Sequence, residues 1–249
     1  MNQVVCSASL HQLQALTDNV YRVILQLESA ANFQPGQYME IQVAGNHWQA
    51  FSLACLPGSN QVELHIQHLP ERENSVALFK QLNSGDPLQV RLAYGECTLQ
   101  GKDRPLTLVA AGTGFAQIKA LVESLIEKNW QSAVNFYWAA KNPAGLYDLE
   151  TALAWQKKLA DFTLIAIVEE APEGWQGEVG RVTDVLANDY DEANSAAMLE
   201  GFICGSPNMV YAVEDLLMEQ GMPPRGLLSD AHAYAPRSCQ LPRPEGRSL

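Results

Sequence analysis

The most informative junction in this chain is Ile203-Cys204-Gly205-Ser206-Pro207-Asn208-Met209. An apolar run before it predicts a buried strand, and the spacing of Met209, Val213 and Leu217 predicts a helix after it. A glycine between strand and helix lets a flat ligand approach the backbone, and the first helical amides point at that ligand. A purely structural helix start with a buried cysteine fits the junction equally well. The rest of the sequence has to decide between these two interpretations.

Composition limits the classes of protein to consider. The chain has 249 residues, 47% of them apolar, which is enough for one large domain or two smaller ones. A formal net charge of -12 argues against nucleic acid or a membrane surface as the main partner. Five dispersed cysteines contain no Cys-x-x-Cys pair, so we expect no metal centre and a reducing, cytoplasmic location. No leader-like start or long apolar run points to a membrane.

The hydrophobic period changes near residues 101–105. Before this linker, apolar and polar residues alternate in short runs separated by turn residues, which predicts a six-stranded antiparallel β-barrel over residues 1–101. Only residues 75–82 resemble a helix there. After it, continuous apolar runs alternate with helical patterns, which predicts a five-stranded parallel α/β domain over residues 105–235. Residues 236–249, rich in proline and arginine, are expected to be a disordered tail.

A second glycine-rich turn lies where the first parallel strand ends. It reads Ala111-Gly112-Thr113-Gly114-Phe115, and ligands of open α/β sheets bind outside such strand ends. A single Gly-x-Gly is weak evidence for a phosphate site, since an ordinary tight turn has the same residues. Lys141 follows the next strand. It can bind the 2′-phosphate of a ribose as a point charge, but an ordinary solvent-exposed lysine is an equally good interpretation. The choice between NADH and NADPH therefore stays open.

Three motifs together resemble the ferredoxin–NADP reductase superfamily, and within it the NAD(P)H:flavin oxidoreductases. The motifs are Cys204-Gly205-Ser206-Pro207-Asn208-Met209, the Gly112-Thr113-Gly114 turn, and Ala50-Phe51-Ser52 preceded by Pro35-Gly36-Gln37-Tyr38. The resemblance covers about residues 4–235 and implies a flavin-binding barrel followed by an NAD(P)-binding domain.

The resemblance also implies roles for individual residues. Phe51 would cover the flavin ring, Ser52 would hydrogen-bond flavin N5, and Cys204 would contact the nicotinamide without acting as a nucleophile. In our interpretation the further cofactor contacts are Gln49, Ala50, His65, Gln67, Ala111, Gly112, Thr113, Gly114, Phe115, Lys141, Gly205, Ser206, Met209 and Tyr234.

The chain departs from the family where the flavin phosphates bind. Gln49 stands where the family carries an arginine, and Arg72-Glu73-Asn74-Ser75 replaces a glycine–serine helix start. A charge-assisted contact to phosphate contributes about 1.5–3 kcal/mol, so losing two of them weakens flavin binding considerably. We therefore expect riboflavin, FMN or FAD to bind weakly, as an exchangeable substrate or a loosely held cofactor.

The expected reaction is hydride transfer from NAD(P)H to flavin, aligned by the protein without a general base. A flavin-dependent acceptor enzyme is a further candidate partner. Two alternatives remain open. One is an FAD-bound electron-transfer reductase component of an oxygenase or synthase. The other is a non-catalytic binding protein that has lost flavin.

Overall fold

The computed structural model describes residues 5–43, 47–101, 103–189 and 200–237. The elements of the first half are β1 (Val5–Ala15), β2 (Val20–Leu27), β3 (Tyr38–Val43), β4 (His47–Ser52), β5 (Gln61–Gln67), α1 (Glu73–Ser84) and β6 (Leu88–Tyr94). Those of the second half are β7 (Leu106–Ala111), α2 (Phe115–Glu127), β8 (Val134–Ala140), α3 (Leu149–Trp155), β9 (Phe162–Val168), β10 (Glu178–Val179), α4 (Val182–Asp189), β11 (Glu200–Cys204), α5 (Pro207–Glu219), β12 (Leu227–Leu228) and α6 (Ala231–Tyr234).

The first six strands form one antiparallel sheet in the order β4-β3-β6-β1-β2-β5. Its two edge strands meet through a bridge between Leu53, directly after β4, and Leu64 of β5, which closes the sheet into the predicted barrel. Alternate residues such as Val23, Leu25 and Leu64 are fully buried inside it. The predicted helix is α1, which extends beyond 75–82 at both ends and buries Leu78 against the barrel core.

The second sheet is parallel, with the order β10-β9-β8-β7-β11-β12. Helices cover both faces, because consecutive β8 residues enter different cores: Trp138 packs with α2 and α3, and Tyr137 packs with α4 and α5. This is the predicted parallel α/β architecture. The sheet has six strands among the described residues and not the expected five, since β10 adds a two-residue pairing to β9.

The extra strand has a local cause. Trp175 Nε1 donates to the carbonyl of Glu178 at 3.1 Å, which folds the preceding loop back onto the sheet. Of the predicted tail, Arg237 Nη1 contacts Asp215 at 2.6 Å on α5, so the chain is still packed at that residue. Residues 238–249, including Cys239, lie outside the described residues.

Candidate functional site

A cleft of about 910 Å³ lies at the carboxyl ends of the parallel strands. Its floor comes from the turns after β7, β8 and β11, and the barrel supplies the opposite wall through the β1–β2 turn and the end of β5. The predicted site residues that line it are Gln67, Ala111, Gly112, Thr113, Lys141, Ser206 and Met209. The cleft is therefore large enough for a dinucleotide and is built by both halves of the chain.

Glycine is required for different reasons at the two glycine positions of the turn after β7. Gly112 has φ +54°, and a Cβ there would point into open space, so the backbone adopts a left-handed conformation facing solvent. At Gly114 a Cβ would lie 2.1 Å from the carbonyl oxygen of Cys204. Only glycine permits this approach, which brings the end of β7 against the end of β11. The two motifs singled out in the sequence are thus in direct contact.

The start of α5 is capped by the side chain of Ser206. Its hydroxyl accepts a hydrogen bond from the Met209 amide at 3.4 Å, and Pro207 occupies the first turn. The remaining amides of this helix end face the cleft, since Ser206, Asn208 and Met209 all line it. Such an end suits an anionic group.

Phe115 is not accessible to a ligand, which corrects our expectation of a cofactor contact. Its side chain is 0% exposed and stacks on Trp138, with ring centroids 4.0 Å apart, and on Trp155 at 5.6 Å. Its amide is occupied by the carbonyls of Gly112 and Thr113. Phe115 anchors α2 in the core beneath the turn.

Cys204 belongs to a buried polar cluster centred on Gln117 of α2. The Cys204 thiol donates to Gln117 Oε1 at 2.8 Å, while Gln117 Nε2 donates to the carbonyl of Gly36 and to Asp230 Oδ2 at 2.6 Å. Burial, followed by the charge of Asp230, raises the pKa of the Cys204 thiol well above its ordinary value. A raised pKa favours the neutral thiol over the thiolate, which is the nucleophilic form of cysteine.

Sequence reasoning missed Gln117 and left Asp230 without a role. Burial raises the pKa of Asp230, although hydrogen bonds from Gln117 and Cys97 oppose that effect. One sequence signal could have revealed this cluster. Gln117 lies in the first turn of α2 between apolar residues, and a buried amide requires hydrogen-bond partners. Tyr234 lies beside the turn between β11 and α5. Its hydroxyl is 3.4 Å from the carbonyl of Gly205, and its side chain is exposed.

The register of β4 separates the predicted flavin residues onto two faces. Gln49 and Phe51 pair with the buried residues Ile41 and Met39, so both point toward the barrel interior. Ser52 pairs with Tyr38 and points to the other face, as does the exposed Ala50.

Tyr38 connects Ser52 to the Cys204 cluster. Gly95 lies between the Tyr38 ring and Asp230, because a Cβ there would be 3.0 Å from the ring and 2.7 Å from Asp230 Oδ1. A series of contacts through Tyr38, Gly95, Asp230 and Gln117 therefore links Ser52 of the barrel to Cys204 of the parallel sheet. This is the junction between the barrel and the parallel sheet.

Gln49 lines a second, smaller cavity of about 420 Å³ with Arg72, Glu73 and Asn74 at the start of α1. Its Oε1 atom is buried and has no hydrogen-bond partner. An unpaired buried acceptor fits a hydroxyl donor better than a phosphate, which itself is chiefly an acceptor. Arg72 provides a positive charge in this wall and Glu73 a negative one.

His65 does not face a ligand, which corrects a second expectation. Its side chain is fully buried, with Nε2 2.8 Å from Glu63 Oε1 and Nδ1 3.0 Å from the Tyr147 hydroxyl. Both ring nitrogens are engaged within the protein. His65 instead joins the barrel to the parallel-sheet unit.

Lys141 is at the cleft but is paired. Its Nζ lies 3.2 Å from Glu170 Oε1, and the two side chains are 72% and 62% exposed. Glu169 and Arg181 also line this end of the cleft. This end of the cleft therefore carries side chains of both positive and negative charge.

Among the described residues, no group of three or more His, Cys, Asp or Glu side chains is arranged to hold a metal ion. No helix in that part of the chain has the length and apolar character needed to cross a membrane.

Comparison with known proteins agrees with this geometry. Residues 108–215 match the family model of the oxidoreductase NAD-binding domain. The chain is 31% identical over 221 residues to the terephthalate 1,2-dioxygenase reductase component 1 of Comamonas sp., covering 88% of this chain and 65% of that protein. It is 26% identical to the NAD(P)H-flavin reductase of Vibrio harveyi, covering 89% of this chain and 96% of that one.

The fold has a solved counterpart in an Amycolatopsis cytochrome P450 reductase. The TM-score is 0.80 at 24% identity, covering 91% of this chain and 69% of that one, which supports the fold alone. The barrel, the parallel sheet and the cleft form a two-unit architecture whose cleft is large enough for a dinucleotide. Over most of its length the chain is thus similar both to reductase components of dioxygenases and to NAD(P)H-flavin reductases. It spans 65% of the length of the first two curated relatives that it matches.

Proposed function

We propose that this protein is an NAD(P)H-dependent flavin reductase that uses a weakly bound, exchangeable flavin. Residues 1–101 form the flavin-binding unit, and residues 105–235 form the NAD(P)-binding unit. The observation that carries the proposal is the buried, unpaired Gln49 Oε1 beside the start of α1. A hydroxyl of the flavin side chain satisfies that acceptor, whereas a firmly held phosphate has no arginine at this position.

The residues present fit both ligands. The left-handed Gly112 turn and the start of α5 suit a pyrophosphate, and contacts through Tyr38 and Asp230 connect Ser52 to the Cys204 cluster. When bound, the nicotinamide supplies a hydride and the flavin accepts it. The chain binds and aligns the rings: Ser52 offers a hydroxyl, Gln117 fixes the buried Cys204 at the end of β11, and Tyr234 restricts access beside Gly205.

A second candidate is an FAD-bound reductase component of an oxygenase system. Arg72 in the wall of the Gln49 cavity favours it, as does the similarity to the terephthalate dioxygenase reductase component. A flavin-dependent acceptor enzyme belongs to both proposals as a partner. A cytoplasmic location stays a prediction from cysteine usage.

Flavin content and turnover separate the candidates. The purified protein is expected to leave a sizing column nearly free of flavin and to oxidise NADH or NADPH when riboflavin is added. Activity with riboflavin equal to or greater than that with FMN supports the proposal. Tightly retained FAD together with activity only toward a protein acceptor supports the reductase component instead. Absence of any dinucleotide oxidation points to a non-catalytic protein.

A further inference from the structure

A charged network crosses the junction between the two units. The Glu63 carboxylate of β5 lies 2.8 Å from His65 Nε2 and forms ion pairs with Arg22, at 3.3 Å from Nε, and with Lys119, at 3.6 Å from Nζ. Arg22 also reaches Asp148 of the parallel-sheet unit, with Nη2 3.2 Å from Oδ2. Glu63 and Arg22 belong to the barrel, whereas Lys119 and Asp148 belong to the other unit. The two units are therefore joined by ion pairs from both sides.

The network is largely withdrawn from solvent. The Glu63 and Lys119 side chains are 17% and 10% exposed, and Lys119 Nζ also donates to the Ala54 carbonyl of the barrel at 2.7 Å. Burial works against ionisation of Glu63, but the His65 hydrogen bond and the nearby Lys119 and Arg22 charges keep its pKa below the ordinary value. Partly buried ion pairs are screened less by solvent and salt than exposed ones, so each contributes more to holding the two units together.

Tyr147 extends this network into the dinucleotide cleft. Its hydroxyl lies 3.0 Å from His65 Nδ1, and its ring packs edge-on against His65, Phe115 and Trp138. The same side chain lines the cleft. Gln67, two residues after His65 and on the same side of β5, lines the opposite wall.

We propose that Tyr147 is a positioning residue that sets the spacing between the two walls of the dinucleotide cleft through its hydrogen bond to His65. The inference rests on the proposed function, since it concerns the binding of NAD(P)H. Without the Tyr147–His65 bond, the barrel wall moves more freely relative to the strand ends. Dinucleotide binding then has to restrict that motion, which lowers the affinity. The nicotinamide is also less often aligned with the flavin for hydride transfer, which lowers the rate.

The test compares two tyrosines that each lose only a hydroxyl. Tyr147→Phe removes the bond to His65. Tyr137→Phe is the matched control, because Tyr137 is 2% exposed, lies in the same unit and donates to Asp189 Oδ2 at 3.0 Å on the other face of the sheet. Calorimetric titration of the full chain with NAD⁺ and NADP⁺ gives Kd, turnover with riboflavin gives kcat, and urea unfolding gives stability.

Tyr147→Phe is expected to raise the dinucleotide Kd and to lower kcat, each by about threefold to tenfold, the effect of one hydrogen bond. Tyr137→Phe is expected to leave both within about twofold, even where it lowers stability equally. His65→Gln keeps an acceptor for the Tyr147 hydroxyl, so it should lie nearer to wild type than His65→Leu.

Unchanged Kd and kcat in Tyr147→Phe would overturn the inference, as would equal effects of the two tyrosine substitutions. An equal loss in His65→Gln and His65→Leu would also count against it. These results leave the proposed function intact as long as the wild type reduces riboflavin. A wild-type chain that binds neither NAD⁺ nor NADP⁺ contradicts the proposed function itself and removes the inference with it.

Discussion

The Cys204 thiol donates a hydrogen bond to Gln117 Oε1 at 2.8 Å. Gln117 Nε2 in turn donates hydrogen bonds to the carbonyl of Gly36, in the barrel loop before β3, and to the carboxylate of Asp230. One side chain of α2 therefore joins the end of β11 to the barrel and to the segment before α6. The positions of Cys204 and Ser52 relative to each other depend on this amide.

Replacing Gln117 by leucine is expected to lower the free energy of unfolding by about 2 kcal/mol, because buried acceptors lose their donor. Gln131→Leu is the control. Its side chain also donates to a backbone carbonyl, that of Asn129 at 2.7 Å, but is exposed, so we expect a change below about 0.5 kcal/mol. Urea unfolding measures both. Similar losses in the two variants would argue against a central role for Gln117.

Asp230 makes stability depend on pH in a defined direction. Burial raises its pKa above the ordinary 3.8, so the folded state binds the proton more tightly than the unfolded state. The resulting stabilisation is complete below that ordinary value and is lost as pH rises through the raised pKa. Asp230→Asn cannot ionise, so its stability relative to wild type should improve as the pH rises above 3.8. Urea unfolding at several pH values measures this difference, and a difference that does not vary with pH would refute the assignment.

Gln49→Arg is expected to shift the flavin preference toward FMN. The guanidinium can bind the FMN phosphate, so the ratio of FMN to riboflavin affinity should rise by about tenfold. Gln89→Arg adds the same charge on an exposed position of β6 and should leave that ratio unchanged. Flavin titration with fluorescence detection gives both affinities. An unchanged preference in Gln49→Arg would mean that the small cavity does not receive the flavin side chain.

Glu170→Gln is expected to favour NADPH. It frees Lys141 from its 3.2 Å ion pair, and an exposed pair of this kind restrains the lysine by up to about 1 kcal/mol. The ratio of kcat/KM for NADPH to that for NADH should therefore rise by about twofold to fivefold. Glu173→Gln, in the exposed loop after Glu170, controls for the loss of a negative charge. Equal changes in both variants would show that Lys141 is not the discriminating residue.

Much of the architecture followed from the sequence. Period-two alternation predicted β2, β3, β5 and β6 of the barrel, and continuous apolar runs predicted β7, β8, β9 and β11, because each pattern reflects how many faces a strand buries. β10 has only two residues and exposed side chains, so no hydrophobic pattern marks it. Its position follows from the Trp175 hydrogen bond, which a sequence pattern does not reveal.

The site was harder to predict than the fold. The glycine turns could be predicted from the sequence, because a close backbone approach such as that at Gly114 requires glycine. Phe115 and His65 were misassigned, since short-range patterns do not show which way a side chain turns at the junction of two units. Gln117, Asp230 and Tyr147 act through partners more than 80 residues away in the chain, as with Gln117 and Gly36 at a separation of 81. Only the folded structure brings these groups together.

The most direct test of the central claim is anaerobic mixing of flavin-free protein with NADH or NADPH and an excess of free riboflavin. The account predicts that the flavin absorbance bleaches over many turnovers per protein molecule, faster than in a mixture without protein. If riboflavin, FMN and FAD all keep their absorbance while the dinucleotide remains reduced, the protein does not transfer hydride to free flavin and the account is wrong.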